Sequence, residues 1–276
     1  MSTSKKEQPK PLAKEQPNSQ IKNNQAEPQE PSPAVEKALQ SVWFGGHATT
    51  LVATVMYLVS MALFRTNRLF YVIAYLGIIT SYSVIVYRTF GVSVKYFGLP
   101  KPHQPYFTRL LIDENATYLF LAIYWIISKP LAITLVPYTI YAVFHMASFA
   151  QVNLLHKNPD AQRKIKQNNE KHYDRAMLLA AEVEIFGVMG RLIIGLFMFK
   201  TSLFAVFLFA HFLRLRYHMN ENSRKVFSGV ASKLDNLLLP QKGQKKKVPP
   251  AVQKAYNKVK VLMSRYGSTP IERKAM

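Results

Sequence analysis

The chain gathers its apolar residues into six blocks and its cations into the stretches between and after them. Hydrophobic residues make up 49% of the 276 residues and charged ones only 18%, below the ~25% of soluble domains. The net charge is nevertheless +21. Both facts hold together only if greasy and basic residues are segregated, which suits one membrane bundle with polar arms and not a soluble enzyme domain. The blocks run 43–64, 69–87, 110–128, 131–150, 176–199 and 203–213.

Crossing the hydrocarbon takes about 20 apolar residues as a helix. Blocks 43–64, 69–87, 131–150 and 176–199 meet that length. Block 110–128 carries Asp113, Glu114 and Asn115 near its start. Block 203–213 crosses only if Lys200 and Arg214 reach the interface with their long side chains. No block alternates like a barrel strand, and a helix satisfies its own backbone in lipid. The expected fold is therefore all-α: a polytopic helical membrane protein built from helical hairpins, with cytosolic amphipathic helices. If 110–128 and 203–213 do not cross, four spans and two re-entrant pieces remain.

Three regions follow. Residues 1–40, with six Lys against five Glu and several prolines, lack the apolar content to offset ordering entropy and read as a disordered cytosolic tail. Residues 41–217 form the membrane domain, and 218–276 a basic cytosolic tail. Connectors 88–109 and 151–175 are long and hold ten Lys/Arg, whereas 65–68, 129–130 and 200–202 are short and hold four. Basic loops stay in the cytosol, so both termini are expected there, with the tight turns on the far side.

From residue 214 onward there are 15 Lys/Arg and three acids. Two amphipathic helices are expected in this tail, over 223–239 and 250–266. In the second, Val252, Tyr256, Val259 and Met263 recur on one face, with Lys254, Lys258 and Arg265 on much of the other. A basic amphipathic helix lies in the interface, its cations on anionic lipid head groups, each worth ~1 kcal/mol. These seven residues are the expected membrane-surface contacts. Packing on the cytosolic loops, or capture of an import receptor, is the competing use of the same helix. Nucleic acid is not expected as a partner, because topology already accounts for the basic blocks.

Inside the apolar blocks stand Asp113, Glu114, Glu182, Glu184 and Arg191, with His145 and His211. Charges at membrane depth cost ~2.5–3.5 kcal/mol on translocon scales. Helix packing is the expected role, with Arg191 meeting an acid on another segment. A solute or ion path through these acids and Arg191 is the alternative. The sequence holds no Cys, which excludes disulfides, Cys-ligated metals and thiol catalysis. It shows no zinc-protease spacing, P-loop, dinucleotide fingerprint or nucleophile elbow. No catalytic residue, metal ligand or cofactor is assigned, and no enzymatic activity is expected.

Leu110-Leu-Ile-Asp113-Glu114 with Tyr118-Leu119, then Pro137 and His145, Glu184-Ile185-Phe186, and Phe212-Leu-Arg-Leu-Arg216-Tyr217 together resemble the transmembrane protein 33 (Krüppel homologue 2) family, most closely its fungal members. The likeness runs from about Leu110 to Phe227. It implies an integral protein of the endoplasmic reticulum and nuclear envelope that works with reticulon-type shaping proteins and influences nuclear pore distribution. It also implies four spans or fewer. The residues suggest a matching mechanism: hairpins inserted from the cytosolic side and flat-lying tail helices occupy more area in one leaflet than in the other, which favours curvature.

Overall fold

The computed structural model describes residues 32–97, 105–155, 157–239 and 249–268. Every regular element among them is helical. The first two helices, α1 (Pro33–Ala62) and α2 (Arg68–Phe97), each have 30 residues, or about 45 Å of rise. Proline at the first helical position starts α1, because it fixes φ where an N–H has no partner anyway. Residues 33–40, expected in the disordered tail, are thus helical, and Glu36 pairs with Arg88 of α2 at 2.6 Å. Most of the remaining expected tail lies outside the described residues.

The two helices cross backbone to backbone. A Cβ added to Gly77 would stand 2.7 Å from the Gly46 carbonyl oxygen and 2.8 Å from the Thr50 nitrogen. Small residues four apart on each helix, Gly46 and Thr50 against Gly77 and Ser81, allow this approach. Ser81 Oγ donates across it to the Trp43 carbonyl at 3.1 Å.

Next come α3 (Pro105–Ile112) and α4 (Glu114–Ile127). Block 110–128 is split where Asp113 caps α4, its side chain accepting from the Ala116 N–H at 2.8 Å. With 14 residues α4 rises about 21 Å, short of a span. A 3₁₀ turn, Ala132–Thr134, leads into α5 (Leu135–Phe149), and a π turn, Ala150–Leu154, extends it. Connector 151–175 is largely not a loop. Asn158 caps α6 (Pro159–Glu182), accepting from the Ala161 N–H at 3.1 Å, and the polar half of α6 fills most of the connector. A second π turn, Val183–Val188, joins α6 to α7 (Met189–Phe197). The remaining helices are α8 (Leu203–Met219), α9 (Glu221–Leu238) and α10 (Pro250–Ser268).

Three helices among the described residues are long and apolar enough to cross a membrane: Pro33–Ala62, Arg68–Gly91 and Ala132–Leu154. This corrects the expectation for block 176–199, where Glu182, Glu184 and Arg191 interrupt the apolar run and the π turn breaks the α-helix. Block 203–213 extends into α8, whose 17 residues give about 26 Å.

The three short connectors meet at one end of the bundle. Tyr71 Oη accepts from the Leu131 N–H at 3.3 Å, and the Tyr124 and Phe204 rings lie 5.9 Å apart. At the opposite end Phe44 stacks on Phe149 at 4.3 Å, near the Glu36–Arg88 pair. The core between them is rich in tyrosine: Tyr71, Tyr75, Tyr82, Tyr118 and Tyr138 are buried with Trp125, Phe209 and Phe212. The hydroxyls of Tyr71, Tyr75, Tyr118 and Tyr138 are hydrogen-bonded. Tyr75 Oη shares a hydrogen bond with Thr134 Oγ1 at 2.6 Å, and Tyr138 Oη donates to the Tyr118 carbonyl at 2.9 Å, the polar-tip arrangement that buried tyrosines require.

Replacing Gly77 by leucine forces α1 and α2 apart and should cost at least the ~1–3 kcal/mol of overpacking. Gly190, with nothing within 4 Å of its missing Cβ, should accept alanine with no loss of stability. Thermal unfolding of the two variants in detergent, against the parent chain, measures both.

Candidate functional site

Where the four stretches that carry the family likeness converge, they build one buried ion cluster. Arg216 lies on the last turn of α8 with its side chain 2% exposed. Its Nε donates to Glu184 Oε2 at 3.2 Å, and Glu184 is itself 2% exposed. Its Nη1 bonds Glu114 Oε1 at the start of α4, and its Nη2 donates to Tyr141 Oη of α5 at 2.8 Å. Tyr118 Oη donates to the other Glu184 oxygen and shares a hydrogen bond with Tyr141 Oη at 3.1 Å. The guanidinium carbon stands 5.5 Å from the Tyr118 ring centroid, within cation–π range. Five side chains from α4, α5, the second π turn and α8 are thereby tied to one another.

Local structure explains each placement. Glu114 follows the Asp113 cap and so sits in the first turn of α4, where the helix dipole favours an acid. Tyr118 lies four residues on, on the same face. Glu184 sits in the π turn, whose extra residue per turn alters the direction of its side chain relative to a regular helix. Gly187, in the same turn, lets Ile133 approach to 2.6 Å of where its Cβ would be.

The other polar residues singled out in the sequence lie elsewhere. Asp113 is a helix cap. Glu182 and Arg191 are exposed and pair with no opposite charge among the described residues. The acid partners expected for Arg191 belong instead to Arg216. His211 is exposed, and His145 stacks on His47 with ring centroids 5.0 Å apart. Arg216 was counted with the tail cations because the last apolar block ends at Leu213. The signal that could have found it is two intramembrane acids, Glu114 and Glu184, with no cation of their own among the apolar blocks but Arg191.

Beside the cluster is a cavity of about 450 Å³ bordered by Glu114, Tyr118 and Tyr141 on the cluster side and by His145 and Tyr173 across from them. Among the described residues no group of three or more His, Asp or Glu side chains could hold a metal ion.

The tail helices dock on the bundle side. Tyr217 meets Phe227 of α9 edge-on at 5.7 Å. Tyr256 of α10 donates to Asp235 of α9 at 2.7 Å, and Lys260 pairs with the same carboxylate at 2.6 Å. Tyr256, expected on the membrane-reading face, thus has a protein partner. Val252, Lys254, Lys258 and Arg265 are exposed, and the side chains of Val259 and Met263 lie outside the described ones. The Lys260 hydrogen bond, then that of Tyr256, holds the Asp235 carboxyl below its usual range.

A sequence profile described as Transmembrane protein 33/Nucleoporin POM33 matches residues 27–269. The chain belongs to this family. The transmembrane protein 33/POM33 relatives it matches include Tetra-spanning protein 1 of Schizosaccharomyces pombe, 29% identical over 251 residues, with 86% of this chain and 87% of the relative covered. Pore membrane protein of 33 kDa from Saccharomyces cerevisiae is 27% identical over 252 residues, covering 84% and 85%. Nucleoporin POM33 of Chaetomium thermophilum is 27% identical over 249 residues, covering 80% and 83%. No solved structure matches the chain.

Removing Arg216 alone (Arg216→Met) strands two carboxylates and should destabilise the protein by about 3–5 kcal/mol. The triple change Arg216→Met, Glu184→Gln, Glu114→Gln should recover much of the loss, read as detergent melting temperature. Asp235→Asn should free α10. Because the native Asp235 pKa is depressed, docking is present above the unfolded value of ~3.9 and is lost as pH falls through the lower native one. Spin labels at Lys233→Cys and Lys258→Cys should report a broadened distance distribution in both cases.

Proposed function

We propose that this protein is a non-enzymatic organiser of endoplasmic reticulum and nuclear envelope membrane that supports the distribution of nuclear pore complexes. The observation that carries the reading is the greasy end of the bundle. Phe64 is 95% exposed and Phe199 98% exposed, each in a short interhelical turn. Ile127, Phe197, Phe204 and Phe207 stand exposed on the helices beside these turns. Exposed apolar side chains gathered at the short connectors need lipid or protein against them. Only some helices are long enough to cross, so the shorter ones, α4 and α8, enter as partial wedges beside full spans. The cationic arms at the other end then lie on the cytosolic leaflet, with both termini on that side.

The names of two relatives, a nucleoporin and a pore membrane protein, support a place near nuclear pores. Nuclear pore components, reticulon-type shaping proteins and an import receptor bound to the basic tail are the partners this reading entails. In α10, Val252, Lys254, Lys258 and Arg265 are exposed, and we assign them the contact with anionic lipids once Tyr256 leaves Asp235. Val259 and Met263 complete the apolar face of this contact.

Solute or ion transport by the acidic residues and Arg191 has less support. Both Glu184 oxygens are bound to Tyr118 and Arg216, and Arg191 is exposed away from them.

Reconstitution of the full chain into liposomes tests the proposal. The parent protein should tubulate or narrow vesicles, and the pair Phe64→Ser with Phe199→Ser should abolish most of that effect while the melting temperature holds. Vesicles of unchanged diameter with the parent protein would sink it, as would labelling of engineered cysteines in the carboxyl-terminal tail from the lumenal side.

A further inference from the structure

The cavity beside the ion cluster has a lining that its location does not explain. Its walls are aromatic: Tyr82, Tyr118, Tyr141, Phe144 and Tyr173 all border it. Phe144 and Tyr173 meet at 90° with centroids 5.4 Å apart, and Tyr118 and Tyr141 at 70° and 5.5 Å. Both pairs pack edge to face, a favoured geometry for aromatic rings. In a chain of +21, no Lys or Arg is among the lining residues.

One acid is. Glu114 faces the cavity and keeps 31% of its side chain exposed, while its other neighbour is Arg216. Counting the cluster, two carboxylates face one guanidinium. Glu114 is the one of these two acids whose side chain reaches open space. Aromatic walls with a carboxylate at their edge are the chemistry that holds ammonium groups, through ring quadrupoles and a nearby acid. The volume of about 450 Å³ lies within the range of small-molecule sites.

Depth decides the source of the ammonium. Asn115 stands near the start of one apolar block, Ser148 near the end of another, and Tyr173 just before a third. The cavity therefore opens at the level where apolar blocks give way to polar residues, which is head-group level in a bilayer. Ser148 and Tyr173 are exposed at its mouth. Asn115, Ser148 and His145 offer neutral polar groups where a lipid phosphate would follow the ammonium. His145 is held in place by stacking on His47.

We propose that this cavity is a binding site for the choline head group of a phospholipid, with the ammonium inside the aromatic walls against Glu114 and the phosphate at the mouth. The site is independent of the membrane-shaping role, since it needs neither curvature nor the tail helices.

The test uses the full chain, purified and delipidated in detergent, with intrinsic tryptophan and tyrosine fluorescence as the readout. The probes are dihexanoyl phosphatidylcholine, dihexanoyl phosphatidylglycerol and tetramethylammonium chloride. Saturable binding of the choline lipid is expected, with phosphatidylglycerol at least tenfold weaker. Tyr173→Leu, at the exposed mouth, should weaken binding about three- to tenfold, and Tyr173→Phe should restore it. Glu114→Gln should weaken it at least as much; should that variant fail to fold, the Tyr173 pair carries the test. Displacement by tetramethylammonium at concentrations like those of the lipid supports recognition of the ammonium from any source. Displacement only at far higher concentration supports the intact lipid head group. Equal binding of both lipids, or unchanged choline-lipid binding by Tyr173→Leu, overturns the proposal.

Discussion

A guanidinium placed between two carboxylates inside an apolar bundle must be completely satisfied or it unfolds what surrounds it. Arg216 meets that condition with Glu184, Glu114 and Tyr141, and the ring of Tyr118 lies within cation–π range. Desolvating such a triad is expensive, and its Coulombic attraction does not by itself guarantee a net gain. What the triad secures is arrangement. α8 can dock in only one rotation and one depth that bring its last turn against both acids at once. Tyr118 and Tyr141 then follow, because their hydroxyls take the positions the charged groups leave open.

The rest of the bundle accommodates this constraint by two other means. One is close approach: Gly46 and Gly77 let α1 and α2 meet backbone to backbone, which compensates in van der Waals contact for the lack of a hydrophobic drive between helices in lipid. The other is irregular helix. The π turn at Val183–Val188 joins α6 to α7, and Glu184 is within it. A regular helix would aim that carboxylate differently, so the defect and the ion cluster are one device.

Much of the fold could be read in the amino-acid sequence. The block pattern foretold helices, hairpins and the shared end of the short connectors, since apolar length and cation position are both written residue by residue. Asp113 capping α4 was not foreseen, although its residue type signals it, because it stands inside an apolar run that reads as continuous. The polar half of α6 reads as a connector in the sequence, since its dense charge gives no apolar stripe to mark a helix. The cluster itself was half legible. Glu114 and Glu184 stand out only together with Asp113, Glu182 and Arg191 as charges in apolar blocks, and their cation lies past the end of the last apolar block and looks like any other tail arginine. Only tertiary packing distinguishes Arg216 from Arg214, two residues away. The docking of Tyr256 on Asp235 was equally hidden, since periodicity shows that a helix has an apolar face and not what that face meets.

The cluster also orders events during biogenesis. Glu114 and Arg216 are separated by 102 residues, so the acid leaves the ribosome long before its counter-charge exists. Until α8 has been made, the translocon and its chaperones must hold α4 and the π turn with two unmatched carboxylates at or near hydrocarbon depth. Final docking of the bundle therefore waits for the arrival of one arginine. A chain truncated before that residue would leave Glu114 and Glu184 without the guanidinium that joins them.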